Sequence, residues 1–171
     1  WPFYRHADFC MVTSLHDGLT SATFDYAFGA DTEITGHMKL RLWVEASGAD
    51  DMDLFVAIQK LDRDGAVLPF VFYALLENGP VALGWLRVSH RELDPARSRP
   101  EQPFHTHRRE EKLRPGERVP AEIEIWPSAV RIRLSPLVVA LAAAASLMPP
   151  VNRLLNGVAT IRSPVVLWLP L

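Results

Sequence analysis

Residues 38–45 read MKLRLWVE and residues 52–61 read MDLFVAIQKL. In both stretches apolar side chains alternate with other residues and share one face: Met38, Leu40, Leu42 and Val44 in the first, and Leu54, Val56 and Ile58 in the second. A period of two is typical of a strand with one buried face. The DRDG turn signal at residues 62–65 then leads to a predicted returning strand at residues 69–76.

Further strands are predicted at residues 81–90 (VALGWLRVSH) and 119–126 (VPAEIEIW), each after a turn cluster. Fourteen prolines and nine glycines leave few windows long enough for a helix before residue 135. The polar, proline-broken residues 90–114 fit a long surface loop. Short strands at this spacing predict a mostly β fold, a sandwich or jelly roll, in preference to βαβ units.

Composition narrows the classes of function. A chain of 171 residues with 49% hydrophobic residues suits one folded domain. The net charge of -2 and the absence of long like-charge runs argue against a nucleic-acid partner. The single cysteine, Cys10, excludes an internal disulfide framework and leaves the compartment open, with a lean to the cytoplasm. The WPF start carries no signal-peptide pattern, so we expect a piece of a longer chain.

The last forty residues differ from the rest. Residues 135–152 carry no charge, and residues 138–147 (VVALAAAASL) are good helix formers. Proline at Pro136 and at Pro149 bounds this run, which is short for the roughly 20 apolar residues of a membrane span. We therefore expect a helix here, buried or covered by a partner, and not a membrane segment.

Several motifs follow one another in the order and spacing of a known family. They are residues 31–36 (DTEITG), which run into MKLRLWVE, and then 84–91 (GWLRVSHR), 113–117 (LRPGE) and 122–127 (EIEIWP). Across residues 24–128 they resemble the C-terminal domain of the cocaine esterase / X-Pro dipeptidyl-peptidase family of serine hydrolases. The resemblance implies a galactose-binding-like jelly roll at 24–171, preceded by a junction at 1–23 from an upstream α/β-hydrolase domain.

The family pattern weakens after residue 128. We expect residues 135–171 to complete the β fold atypically, with residues 162–171 (RSPVVLWLPL) as the candidate closing strand. The resemblance places the catalytic serine, acid and histidine in the upstream domain. It implies an accessory role for this chain, which would pack on and stabilise the catalytic domain and help to wall its substrate pocket. Self-association of the exposed domain is a further expectation.

No catalytic or cofactor site is predicted within the chain. The G-x-S-x-G nucleophile elbow is missing, and Ser14, His16 and Asp17 are neighbours along the chain that would point in different directions. A second class of function is a carbohydrate-binding β-sandwich that presents Trp43, Trp85 and Trp126 as an aromatic row. We expect these tryptophans to serve core or interdomain packing instead.

Two groups of polar residues invite a metal-site interpretation. The spacing of His105 and His107 can chelate a metal, and the carboxylates of Glu101, Glu110 and Glu111 lie nearby in the sequence. The adjacent Arg108 and Arg109 would repel a cation. A solvated loop that docks on another domain is the preferred interpretation, and no metal is predicted.

Asp50, Asp51 and Asp53 could suggest calcium, but the EF-hand spacing is missing. Asp53 lies within an apolar strand, and so does Arg87. A charge buried in or beside a sheet requires a partner of opposite sign. We therefore predict that Asp53 pairs with Arg87 on a neighbouring strand.

Overall fold

The computed structural model describes residues 4–9, 13–15, 20–62, 64–68, 70, 80–132, 138–148 and 158–170. Within these residues the chain forms a 3-10 turn at Val88–His90 and nine strands. The strands are β1 (Tyr4–Phe9), β2 (Thr13–Leu15), β3 (Thr20–Ala27), β4 (Thr32–Ser47), β5 (Asp51–Leu61), β6 (Ala82–Arg87), β7 (Arg118–Ile132), β8 (Val138–Met148) and β9 (Val158–Pro170).

The strands form two antiparallel layers. One layer has the order β1–β9–β4–β7, with β2 also paired to β9, and the other has the order β6–β5–β8–β3. A single pair, Gly84 opposite Ile125, joins β6 to β7, so that one sheet curls over itself. The eight strands other than β2 form two four-stranded layers in the order of a jelly roll. The predicted mostly β sandwich is confirmed.

The core lies between the two layers and is made by the apolar face of each strand. β4, β5 and β7 alternate buried and more exposed residues, as the period of two predicts. Its largest fully buried side chains are Ile34, Met38, Leu40, Leu42, Met52, Leu54, Ile58, Ile123, Ile125, Ile132 and Ile161. The charge of Lys39 is buried on the outer face of β4, where its Nζ lies 2.9 Å from Glu122 Oε2 and 4.3 Å from the Trp168 ring centroid.

The prediction of a helix at residues 138–147 is wrong. This stretch forms strand β8, which pairs with β5 over its full length on one side and with β3 over residues 138–145 on the other. Pairing along both edges satisfies the backbone of the strand, and this tertiary context overrides the helix propensity of its alanines. No helix in the described part of the chain is long and apolar enough to span a membrane.

The chain ends carry further strands of the jelly roll. The closing strand expected at residues 162–171 is present as the main part of β9, which pairs with β1, β2 and β4. β1 and β2 fall inside residues 1–23, and their assignment as a junction stays a prediction. The strand predicted at residues 69–76 lies outside the described residues, apart from Phe70.

Residues 91–117 form the predicted long loop, and backbone hydrogen bonds tie it to the sandwich. Leu113 N donates to Asp50 O at 2.7 Å, and Glu111 N donates to Ser89 O at 2.7 Å. Within the loop Thr106 N donates to Glu92 O at 3.0 Å. The first two bonds tie the end of the loop to Asp50 and to the 3-10 turn, and His105 Nε2, 2.9 Å from the backbone oxygen of Glu122, ties the middle of the loop to β7, where the candidate site lies.

Candidate functional site

A groove of about 550 Å³ lies on the outer face of β5, β6 and β7, beside the long loop. Its position follows from the strand alternation: while Leu54, Leu86 and Ile125 point into the core, their neighbours along each strand point outward. The groove is lined by Asp53, Leu54, Phe55, Trp85, Leu86, Arg87, His90, His105, His107, Glu124 and Trp126.

Three aromatic side chains cross the strands at this groove and form what we call the aromatic row: Phe55, Trp85 and Trp126. Phe55 on β5 is directly opposite Trp85 on β6, and the Trp85 and Trp126 ring centroids are 4.9 Å apart with the rings tilted by 59°. Their exposed fractions are 47%, 54% and 40%, respectively. Large aromatics usually bury most of their surface, so the row is an apolar patch open to a partner.

Asp53 and Arg87 lie beside the aromatic row as a directly opposed cross-strand pair. Arg87 Nε donates to Asp53 Oδ1 at 2.9 Å, and its Nη2 donates to Oδ2 at 3.0 Å. The hydrogen bonds and the negative charge of Asp53 raise the pKa of Arg87. The predicted pairing is confirmed, and its bidentate geometry fixes the guanidinium at the edge of the groove.

We expect this ion pair to contribute modestly to stability because Arg87 is exposed to water. Arg87→Ala and Asp53→Ala should each lower the free energy of unfolding slightly, and the loss in the double variant should be smaller than the sum of the two single losses. Urea unfolding of the two single variants and the double variant measures this coupling. Strictly additive losses would mean that the two side chains do not interact in solution.

Two histidines meet at the loop side of the groove. His90, at the end of the 3-10 turn, places its Nδ1 3.1 Å from Nδ1 of His107. His107 has a φ of 50°, a left-handed backbone that is uncommon for a residue with a side chain. The His90 Nε2 atom also lies 3.9 Å from Glu110 Oε1. This pair was missed in the sequence because the two residues are seventeen positions apart and only the loop path brings them together.

His105 contacts β7, and its ring centroid lies 6.0 Å from that of His107. Its Nε2 donates to the backbone oxygen of Glu122 at 2.9 Å, and burial lowers the pKa of His105, which favours the neutral ring. The left-handed His107 breaks the extended geometry on which the chelating interpretation of His105 and His107 depends. Among the described residues no group of three or more His, Cys, Asp or Glu side chains is placed to hold a metal ion.

Asp51 and Asp53 diverge instead of sharing a calcium site. Asp51 is 0% exposed and links the start of β5 to the 3-10 turn and the loop. Its Oδ1 accepts from the backbone N–H groups of Met52 and Ser89, both at 2.9 Å, and its Oδ2 accepts from Lys112 Nζ at 3.1 Å. Burial alone would raise the pKa of Asp51, but the hydrogen bonds from Ser89 and Lys112 hold that pKa below its usual value. Asp51 thus anchors the 3-10 turn and the loop at Lys112 to the start of β5.

The remaining candidates lie apart from the groove. Trp43 is half-buried on β4 opposite Pro120, with the Arg118 guanidinium 5.4 Å from its ring centroid. Pro120 precedes Trp126 by six residues, roughly 20 Å along a strand, so Trp43 is not part of the aromatic row. Of the neighbours Ser14, His16 and Asp17, Ser14 falls in strand β2, and residues 16 and 17 lie outside the described residues.

Comparison with known proteins agrees with this architecture. Residues 7–134 match the X-Pro dipeptidyl-peptidase C-terminal non-catalytic domain. A search of curated proteins found no match to the chain.

Solved structures extend the likeness to the whole chain. A CocE/NonD family hydrolase from Staphylococcus aureus is 31% identical with a TM-score of 0.81, over 99% of this chain and 36% of that one. A second crystal structure of such a hydrolase from that organism gives 34% identity and a TM-score of 0.79, over 96% and 33%. An α-amino acid ester hydrolase, 16% identical with a TM-score of 0.57 over 88% of this chain and 25% of that one, shares the fold.

The chain therefore spans about a third of the length of the Staphylococcus aureus hydrolase that it resembles. The family match covers most of the chain, from β1 to just past the end of β7, and the jelly-roll order agrees with it. The chain belongs to the family of X-Pro dipeptidyl-peptidase C-terminal non-catalytic domains, the C-terminal domain of CocE/NonD-type hydrolases.

Proposed function

We propose that this domain packs on the catalytic domain of a larger serine hydrolase and stabilises it, with the aromatic row as the contact surface. The exposure of Phe55, Trp85 and Trp126 on three adjacent strands is the observation that carries this proposal. Burying apolar surface contributes roughly 25 cal/mol per Å² before ordering costs, and aromatic side chains supply much of the energy of interfaces. Leaving these three aromatic side chains exposed to water is therefore unfavourable in free energy.

We infer that the rest of the same polypeptide covers the aromatic row. Similar hydrolases are about three times as long as this chain, so most of such a protein lies outside the described domain. In this proposal residues 1–23 lead in from the catalytic domain, and the proximity of a tethered domain gives it a high effective concentration at the aromatic row.

The groove beside the row suggests a second part of the role. Once a catalytic domain covers the aromatic row, the adjacent groove becomes an enclosed space with a fixed guanidinium, that of Arg87, at its edge. We propose that this space forms one wall of the substrate pocket of the full enzyme. Fixed polar groups on a rigid sheet can orient a substrate because their positions do not have to be reorganised on binding.

The geometry of the row disfavours the carbohydrate-binding alternative. A sugar ring stacks on an open, flat aromatic face, whereas Trp85 and Trp126 pack against each other at 4.9 Å with a tilt of 59°. Tilted contacts of this kind are typical of an apolar cluster. Trp43, which would extend a sugar platform, is half-buried beneath the Arg118 guanidinium.

The docking proposal is tested in the full-length polypeptide by replacing Trp85 and Trp126 with serine. We expect the double variant to show faster proteolysis between the domains and a raised KM, because the catalytic domain loses its apolar contact. The isolated domain should self-associate through the same patch, and the double substitution should make it monomeric. Sedimentation velocity measures that change in association.

Val67→Ser provides a matched control because Val67 is also an exposed apolar residue, at 41%, but does not line the groove. This variant should retain the wild-type proteolysis rate, KM and association state. If Trp85→Ser/Trp126→Ser leaves all three measurements as they are in Val67→Ser, the aromatic row is not the docking surface.

A further inference from the structure

The hydrogen bond between His90 and His107 depends on how many protons the two rings carry. A bond between two Nδ1 atoms 3.1 Å apart requires one N–H donor and one free lone pair. This condition is met when both rings are neutral or when one is charged. With both rings charged, two N–H groups and two positive charges would face each other, and the contact would be lost.

The charged and titratable groups around the pair come from every element that borders the groove. Glu110 on the loop lies 3.9 Å from His90 Nε2 and is shared with Lys112, whose Nζ is 3.7 Å from its other oxygen. On the strand side are the closed Asp53–Arg87 ion pair, Glu124 of β7, and His105, whose burial favours the neutral ring and whose centroid lies 6.0 Å from that of His107. Glu124 accepts from Gln102 and lies 3.4 Å from His37 Nδ1 of β4. Among the charged groups of the described residues Glu110 is the one that faces His90, and an exposed carboxylate shared with Lys112 compensates weakly for a second positive charge.

The pair lines the same groove as the aromatic row, so a domain docked on the row would also cover the histidines. Covering them removes water and makes a charged ring more costly.

We propose that docking of the catalytic domain on the aromatic row is proton-linked through the His90–His107 pair, so that acidification releases this face. The inference rests on the proposed function and adds that pH regulates the docking. Histidine changes charge between about pH 5 and 8. If release takes up protons, the docking constant falls as the pH is lowered, by at most about tenfold per pH unit for each proton taken up.

The test is hydroxyl-radical footprinting of the full-length polypeptide at pH 7.5 and pH 5.5, with the oxidation of Trp85 and Trp126 as the readout. We expect both tryptophans to be protected at pH 7.5 and to oxidise several-fold faster at pH 5.5. Trp43 serves as an internal reference, and its oxidation rate should not change with pH. In His107→Asn the protection should persist at pH 5.5, since asparagine tolerates the left-handed backbone but does not titrate.

A control variant, His6→Asn, removes a histidine of β1, which is not one of the strands β5, β6 and β7 that form the groove, and it should keep the wild-type pH response. The outcomes separate the two proposals. Rapid oxidation of Trp85 and Trp126 at pH 7.5 would mean that no domain covers the row, and docking itself would fail. Protection at both pH values in the wild type, or an unchanged pH response in His107→Asn, would leave docking intact and overturn the proton linkage.

Discussion

Replacing Gly84 by alanine is expected to lower the free energy of unfolding by about 3 kcal/mol or more. A Cβ atom at this position would lie 2.3 Å from the backbone oxygen of Glu124 and 3.2 Å from Cα of Ile125. Because both are backbone atoms, no side-chain rotation can relieve the clash. β6 would have to move away from β7 at Gly84–Ile125, the one pair recorded between these strands in the described residues.

Equilibrium urea unfolding measures this loss, and Gly29→Ala is the matched control. A Cβ atom at Gly29 would have no neighbour within 4 Å, so this variant should stay within about 0.5 kcal/mol of the wild type. The Trp85–Trp126 contact should also weaken in Gly84→Ala, because it spans the same junction. Equal stability of the two variants would show that β6 and β7 do not approach as closely as described.

Half-buried strands could be predicted from the sequence because their burial leaves a period of two. Residues 38–45 and 119–126 each carry that signal, and both lie within observed strands, β4 and β7. The Asp53–Arg87 pair was predictable for a related reason: a charge within an apolar strand requires a partner, and few candidates of opposite sign lie in neighbouring strands.

β8 could not be predicted in the same way. Its residues 138–147 show no alternation of apolar and polar side chains, and alanine has the highest intrinsic helix propensity. The information that makes this stretch a strand lies in its two neighbours, β3 and β5, which are distant in sequence. β propensity depends on such context more than helix propensity does.

The candidate site was only partly predictable because its contacts cross long separations in the chain. The sequence placed Trp85 and Trp126 in strands, but their contact depends on how β6 and β7 meet across a thirty-residue connection. The His90–His107 pair depends on the path of the loop and on one left-handed residue. Neither leaves a local pattern that a period or a spacing rule can detect.

Replacing Asp51 by asparagine is expected to lower the free energy of unfolding by about 3 kcal/mol at neutral pH. The side chain is fully buried, and its Oδ2 accepts from the positively charged Lys112 Nζ. Asparagine can still accept from Met52 and Ser89 through its oxygen, but its amide N–H groups would then face the lysine ammonium. Lys112 loses its closer partner and keeps only the exposed Glu110, 3.7 Å away, and the loop that carries His105 and His107 loses an anchor. Urea unfolding measures the loss of stability.

The same substitution should change how stability depends on pH. Because the folded domain holds the pKa of Asp51 below its usual value, the ionised carboxylate stabilises the fold in full above the pKa of an unfolded aspartate, about 4. That contribution is lost as the pH falls through this value toward the folded pKa. Between pH 6 and pH 3 the wild type should therefore lose more stability than Asp51→Asn, and the two curves should converge in acid. Asp50→Asn, which keeps the backbone oxygen that accepts from Leu113, should follow the wild-type curve. If the stability of Asp51→Asn and of the wild type fell in parallel with pH, Asp51 would not be held in its ionised form by the fold.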